Sequence, residues 1–328
     1  MTKTWQDIIG HDEMIKRLQA MTKAGRRPHA FLFSGPSGIG KALVAETFAA
    51  ALLCQAAETP CTRCLSCRQM RDGVHPDYLR IMPDGASIKI EQIRMLQKET
   101  ALAPYSGGCR VVVIDGAETM TAPAANSLLK TLEEPEGDSV FILLTSAKQS
   151  MLPTVLSRCM QLSFNPLALA EVETVLTARG IRQDVAITAA RLSGGRLGRA
   201  LLLAEPEGLA ERDAALEWLK CLGEDGVVAA WSLATQWDKA ERPLVLNQLA
   251  GLALCLRDLM MLAVTADGRL LINADRQSEL KLLLPRWREE TLAKAWQAVG
   301  QAQRAVTANA NLRLTAESLL LQLEDLME

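Results

Sequence analysis

A lysine at the end of a glycine-rich loop carries the clearest chemical signal in this sequence. The loop consists of Gly35, Pro36, Ser37, Gly38, Ile39, Gly40 and Lys41. An apolar run at residues 30–33 precedes it, and apolar side chains recur at helical spacing over residues 43–53. Glycines let successive backbone N–H groups point at phosphate oxygens, and a helix N-terminus adds positive potential. This context predicts a phosphate-binding loop (P-loop), in which Lys41 neutralises the β- and γ-phosphates, rather than a chance glycine turn.

One position of this motif departs from the usual pattern. The residue after the lysine is normally Ser or Thr, whose hydroxyl holds Mg²⁺, and here it is Ala42. The loss of such a ligand is expected to weaken the interaction with Mg-nucleotide by a factor on the order of ten to a hundred. The sequence therefore predicts a P-loop with impaired hydrolysis, and ATP with Mg²⁺ is a doubtful ligand.

Four of the eight cysteines crowd into 14 residues, and this spacing predicts a metal site. They are Cys54, Cys61, Cys64 and Cys67. Four thiolates can converge on one tetrahedral Zn²⁺ and leave no open coordination position, so the expected role is structural. An iron–sulfur cluster is the second interpretation, although the further cysteine expected three residues on is replaced by Arg71. A redox pair in a single Cys-x-x-Cys step is the third.

Acidic and hydroxyl side chains follow two further apolar runs. Residues 110–115 end in Asp115, and a third predicted strand ends near Thr145. Because ligands bind at the carboxyl ends of parallel strands, Asp115 is expected to act on the nucleotide metal, and Glu118 to polarise a water. Thr145 is expected to sense the γ-phosphate. The alternative for all three is that they merely cap the following turn or helix.

Composition limits the class of protein. The chain has 328 residues, of which 49% are hydrophobic and 23% charged, and its net charge is −2. This balance argues against strong autonomous binding of nucleic acid. We find neither an uninterrupted apolar run of membrane-spanning length nor a signal-peptide pattern, so a cytoplasmic location is expected.

The order of predicted elements indicates an α/β fold followed by helices. Strands alternate with helices up to residue 165, which predicts a parallel sheet with helices on both faces. We expect a P-loop domain over 1–165 with a zinc module at about 54–78. A small helical lid over 166–206 and an all-helical C-terminal collar domain over 207–328, which would mediate oligomerisation, should follow.

Several segments together resemble the bacterial DNA polymerase III clamp-loader family of AAA+ proteins. They are Asp115-Gly-Ala-Glu118, the run Leu-Leu-Lys-Thr-Leu-Glu-Glu-Pro at 128–135, Leu156-Ser-Arg-Cys159 and the four-cysteine insert. The resemblance is strong over residues 5–205 and weak beyond. It implies an AAA+ fold and a place in a five-subunit ring that loads a sliding clamp onto primed DNA during replication.

Departures from the family pattern favour its delta-prime type over the ATPase type, gamma/tau. Ala42 lacks the metal-binding hydroxyl, and the sensor-2 arginine position is occupied by Gly198. Arg199 is adjacent and would substitute only if the helix register shifted. In a subunit of the delta-prime type, Arg158 would be an arginine finger that reaches the ATP site of a neighbouring gamma/tau subunit.

The resemblance thus implies a subunit with little or no ATPase of its own, in a complex with gamma/tau and delta subunits, the clamp and primer–template DNA. The alternative for Arg158 is an ordinary surface or core arginine. The alternative function is an active clamp-loader ATPase, because Lys41, Asp115 and Glu118 are present.

Overall fold

A computed structural model describes residues 4–23, 27–106, 108–135, 137–225, 227–265 and 267–327. Its chain divides into two compact units, which we describe separately. The first comprises Met1–Val175 with Gly195–Arg199, and the second Leu176–Gly194 with Ala200–Glu328. The three domains expected from the sequence remain a prediction, because this division does not test their boundaries.

The first unit is built on a parallel five-stranded sheet, as the sequence predicts. Its strands are β1 (Ala30–Ser34), β2 (Tyr78–Ile81), β3 (Arg110–Asp115), β4 (Ser139–Thr145) and β5 (Met160–Ser163). Their order across the sheet is β2-β3-β4-β1-β5, and every pairing is parallel. The carboxyl ends of all five strands therefore lie at one edge, where the residues that follow each strand meet.

Helices of this region alternate with the strands. They are α1 (Asp12–Lys23), α2 (Lys41–Leu53), α3 (Leu65–Asp72), α4 (Ile90–Thr100), α5 (Ala122–Glu133), α6 (Pro153–Leu156) and α7 (Leu169–Ala178). One apolar cluster includes Val44 and Phe48 of α2 together with Val111 and Val113 of β3. A second cluster includes Leu128 of α5 together with strand residues that alternate with those of the first. The alternation places one layer of helices on each face of the sheet.

The elements that follow the sheet in the described part of the chain are helical. They are α8 (Gln183–Ser193), α9 (Leu197–Leu203), α10 (Ala210–Asp225), α11 (Val227–Asp238), α12 (Arg242–Thr265), α13 (Gln277–Leu283), α14 (Glu289–Thr307) and α15 (Leu312–Leu326). Leucine, alanine and tryptophan side chains of α10 to α15 form a single apolar core. Such a core suits an all-helical unit, in which each amphipathic helix buries one stripe.

The helix α12 is long and apolar enough to span a membrane, although the sequence has no uninterrupted apolar run of that length. Its Leu249, Leu252, Leu256 and Leu259 are fully buried in the helical core. A core helix of a soluble protein can have the same length and composition, so these two properties only weakly indicate a membrane span.

Candidate nucleotide site and metal centre

The P-loop lies where the sequence predicts it, between β1 and α2. Gly38 and Gly40 have φ angles of +76° and +106°, a backbone conformation that L side chains rarely adopt. The N–H of Gly35 donates to the carbonyl of Thr145 at 3.2 Å, which ties the start of the loop to the end of β4. The glycines thus fix the loop at the carboxyl edge of the sheet.

The P-loop lysine is bonded to its own loop. Lys41 Nζ donates to the carbonyl oxygens of Gly35 at 2.6 Å and Pro36 at 2.9 Å. Burial lowers the pKa of Lys41, while the charges of Glu118 and Asp115 act in the opposite direction. An anion entering the loop would share the ammonium with these carbonyls, because Lys41 has three N–H donors and two are in use.

Asp115, the predicted metal-binding carboxylate, lies at the end of β3 and forms an ion pair with an arginine. Arg80 of β2 donates from one terminal nitrogen to Asp115 Oδ2 at 2.7 Å. Its other terminal nitrogen donates to Glu46 Oε1 of α2, also at 2.7 Å. A single guanidinium therefore bridges the P-loop helix and the end of β3.

Glu118 and Thr145 are held by the turn that follows β4. Both the backbone N–H and the hydroxyl of Ser146 donate to Glu118 Oε1. Burial acts to raise the pKa of Glu118, but the hydrogen bonds from Ser146 lower it below its ordinary value. Thr145 Oγ1 accepts the N–H of Ala147 at 3.1 Å. The contact of Thr145 fits the capping interpretation, whereas Glu118 bonds the turn after β4 and does not cap the helix that follows it. The catalytic roles of both residues remain predictions.

The residues at this edge do not fit a nucleotide-bound Mg²⁺. Ala42, in the first turn of α2, offers no oxygen ligand. The Asp115 carboxylate is shared with Arg80. Magnesium prefers oxygen ligands in near-ideal octahedral geometry; Ala42 supplies none, and Arg80 competes for the Asp115 carboxylate.

Gly198, which occupies the predicted sensor-2 position, contacts the P-loop through its backbone. The N–H of Gly198 donates to the carbonyl of Gly38 at 2.8 Å. A Cβ at residue 198 would lie 2.9 Å from that same oxygen, closer than real Cβ contacts allow. Backbone, rather than an arginine side chain, therefore meets the loop here. The role of Arg199 remains a prediction.

The four cysteines converge into one cluster that can hold a metal ion. All four sulfurs lie within 4.8 Å of one another. Cys54 and Cys64 sulfurs are 3.9 Å apart, and those of Cys61 and Cys67 are 4.0 Å apart. Sulfurs at the corners of a zinc tetrahedron with 2.3 Å bonds would be about 3.8 Å apart, so the donor set fits. Backbone N–H groups of Cys64 and Arg63 lower the pKa of Cys61 to about 6, whereas burial raises the pKa values of Cys54 and Cys67.

A buried histidine connects this cluster to β2. Ser66 donates from its hydroxyl to the carbonyl of Leu53 at 2.8 Å, so it accepts the Nε2–H of His75 at 2.6 Å. His75 Nδ1 then accepts the N–H of Asp77 at 3.0 Å. This pattern fixes one neutral tautomer, and burial lowers the pKa of His75. The histidine has a structural role in this arrangement.

Arg158, the predicted arginine finger, lies just after α6. Its guanidinium donates to the carbonyl of Thr154 at 2.8 Å and forms an ion pair with Glu133 at the end of α5. The side chain remains 32% exposed. Among the described residues, these partners belong to α5 and α6 and not to the P-loop.

Arg80, Glu46 and Glu133 are absent from the sequence-based predictions. Arg80 could have been suspected as a charged residue between two apolar ones, Leu79 and Ile81. Glu46 follows Ala42 by one helical turn, but nothing local indicates its partner. Glu133 lies in the segment 128–135 that resembles the clamp-loader family, yet its contact with Arg158 depends on the fold.

Comparison with known proteins agrees with this architecture. The profile of the family described as DNA polymerase III, delta subunit, matches residues 10–168, and its C-terminal counterpart matches residues 206–325. DNA polymerase III subunit delta' of Bacillus subtilis is 30% identical over 99% of this chain and 100% of its own length. The Pseudomonas aeruginosa subunit delta' is 34% identical over 90% of this chain and 91% of its own.

A DNA polymerase III gamma subunit-related protein from Thermotoga maritima is similar in structure. It is 18% identical, with a TM-score of 0.47, over 94% of this chain and 99% of its own. At this TM-score the likeness does not bear on function.

The sheet order, with the P-loop after β1, defines a protein of the AAA+ class. Within that class, the chain belongs to the DNA polymerase III delta/delta' subunit family.

Proposed function

We propose that this chain is the delta-prime subunit of a bacterial clamp loader. It helps ATPase subunits of the gamma/tau type to place a sliding clamp on primed DNA, within a five-subunit ring that also contains a delta subunit. Its relatives of matching length carry the name delta'. The chain then acts in the bacterial cytoplasm, and DNA and clamp meet it through the complex.

The observation that carries this proposal is the placement of Arg158. The guanidinium is partly exposed, and its contacts run to Thr154 and Glu133 rather than to this chain's own P-loop. A neighbouring subunit's γ-phosphate is therefore a suitable partner. A fixed guanidinium stabilises the charge that develops on a transferred phosphoryl group.

The proposed subunit has little or no ATPase of its own. Ala42 cannot hold a metal, and Asp115 is paired with Arg80. The active-ATPase alternative requires the metal site that these two positions lack. Asp115 and Glu118 are accordingly proposed to act in the architecture of the site rather than in hydrolysis.

The metal of the cysteine cluster is proposed to be zinc. Four sulfur donors leave no open coordination position, so the metal has a structural role. It would fix the turn between α2 and α3, where Cys54 follows one helix and Cys64 caps the next. Binding would require all four thiols to be deprotonated.

Reconstitution with the gamma/tau, delta and clamp proteins of one bacterium tests the function. We expect Arg158→Ala to slow hydrolysis at the neighbouring ATP site by about a thousandfold. Total turnover should then lose the share of that site, and clamp loading on primed DNA should fall with it. Arg182→Ala is the matched control, because the Arg182 side chain is 78% exposed and pairs with Asp184 rather than with a residue of α5 or α6.

Two results would contradict the proposal. One is robust ATP turnover by the purified chain alone, which would assign it to the ATPase type. The other is an Arg158→Ala complex that loads clamps as fast as wild type while containing the chain in normal amount.

A further inference from the structure

We propose that Arg80 takes the place of the nucleotide metal in this chain, so that any nucleotide bound at the P-loop is held without Mg²⁺. This inference rests on the proposed function only in treating the site as non-hydrolysing. It concerns the chain alone and can fail while the trans role of Arg158 stands.

The first argument is the position of the guanidinium between two carboxylates. Arg80 reaches Asp115 Oδ2 and Glu46 Oε1 at 2.7 Å each, through different terminal nitrogens. In P-loop nucleotidases a metal links the start of the P-loop helix to an acidic residue at a strand end. Here a protein-borne cation makes the same connection.

The helical geometry of α2 brings this cation close to the missing ligand. Ala42 and Glu46 are four residues apart in α2, so they lie on the same face, one turn from each other. The arginine that Glu46 holds is therefore next to the turn where a Ser or Thr hydroxyl would bind the metal. Ala42 adds no competing oxygen there.

The sheet explains why Arg80 points this way. Residues of β2 alternate between faces, and Leu79 and Ile81 pack on the cluster around α5. Tyr78 packs on the opposite cluster, around α2, and Arg80 shares its face. Arg80 pairs in register with Val113, two residues before Asp115, and so lies near the carboxyl edge.

Charge makes the arginine and a divalent ion competitors for the same carboxylate. Burial acts to lower the pKa of Arg80, but the hydrogen bond to Asp115 and the charge of Glu46 raise it, so the guanidinium stays charged. A divalent ion beside it would meet like charge and would compete with it for Asp115. Restoring the hydroxyl at residue 42 is therefore insufficient to restore a metal site.

The test compares wild type, Ala42→Ser, Arg80→Gln and the double variant Ala42→Ser/Arg80→Gln. The probe is a fluorescent ADP analogue, titrated with and without Mg²⁺ and without chelator, so that the cysteine cluster keeps its metal. Mn²⁺ binding in the presence of ADP, followed by electron paramagnetic resonance, reports on the metal directly. Ala42→Ser/Arg71→Gln is the matched control, because Arg71 pairs with the exposed Asp72 elsewhere.

We expect Mg²⁺ to leave the affinity of wild type, Ala42→Ser and the control unchanged within about twofold. In the double variant Mg²⁺ should tighten binding by about tenfold or more, as expected for a regained ligand to a charged partner. Mn²⁺ should bind with ADP only in the double variant. If wild type binds no analogue at all, the gain in the double variant still decides the question.

A full Mg²⁺ effect in Ala42→Ser alone would overturn the proposal, as would a double variant no more sensitive to Mg²⁺ than Ala42→Ser. Thermal unfolding checks that each variant is folded. If Arg80→Gln is unstable, Arg80→Met replaces it and keeps the apolar stem of the side chain.

Discussion

Arg158 and Glu133 form an ion pair that joins the segment after α6 to the last residue of α5. Arg158 also donates to the carbonyl of Thr154 at 2.8 Å and to the hydroxyl of Ser157 at 3.3 Å. Three partners on two elements therefore define where the guanidinium lies. We therefore expect Glu133 to position the proposed arginine finger.

Replacing Glu133 by Gln is expected to slow hydrolysis at the neighbouring ATP site by at most about fivefold, because an exposed ion pair contributes about 0.2–1 kcal/mol. The contacts to Thr154 and Ser157 remain, so the effect should be far smaller than that of Arg158→Ala. Turnover of the two proteins should converge at high salt, which screens the wild-type pair. Glu134→Gln, one residue on, is the control. A loss that does not depend on salt would argue against positioning by charge.

Loss of one cysteine ligand should empty the metal centre. We expect Cys64→Ser to reduce bound zinc from one per chain to nearly none and to lower the melting temperature, because metal binding contributes directly to folding. Elemental analysis and calorimetry measure both quantities. Cys221→Ser, far from the cluster in sequence and on α10, should retain its zinc. Iron and inorganic sulfide in the purified wild type would instead support the iron–sulfur interpretation.

The cysteine cluster and the sheet can be predicted from the sequence because each depends on residues that are close together in the chain. Four thiols fall within 14 residues, and residues 110–115 are almost entirely apolar before Asp115. The contacts of Arg80 are different in kind. They join residues 34 and 35 positions apart in the chain, and they exist because β2 pairs with β3 and packs on α2. Local pattern cannot supply that pairing.

Asp77 is expected to be a large contributor to stability in the first unit. Its fully buried carboxylate accepts the N–H groups of Tyr105 at 2.7 Å and Ser106 at 2.9 Å and faces the buried Arg110. Asp77→Asn should lower the free energy of unfolding by about 3 kcal/mol, because it leaves a buried charge uncompensated. Asp138→Asn, which removes an exposed partner of Arg27, should cost under about 1 kcal/mol. Urea denaturation measures both.

The pH dependence of the stability difference between wild type and Asp77→Asn follows from the pKa of Asp77. Burial acts to raise the pKa, but the hydrogen bonds from Ser106 and Tyr105 lower it below its ordinary value. The stabilisation is therefore complete above the unfolded-state value of about 3.9 and is lost as pH falls through the lower folded-state value. The gap between wild type and Asp77→Asn should be constant from neutral pH down to about pH 5 and should close in stronger acid. A gap that closes near neutral pH would contradict this assignment.

Gly198 should tolerate no side chain, because it packs directly on the P-loop. An added Cβ would lie 2.9 Å from the carbonyl oxygen of Gly38, and backbone cannot move away as cheaply as a flexible side chain. We expect Gly198→Ala to destabilise the chain by about 1–3 kcal/mol through overpacking. Gly300→Ala is the control within α14: its Cβ would meet Arg304 at an ordinary 3.7 Å. There, higher helix propensity should stabilise by up to about 1 kcal/mol. Equal effects of the two substitutions in urea denaturation would show that the Gly198 contact with the loop is not tight. Gly198→Arg should then be tolerated as well, which we do not expect.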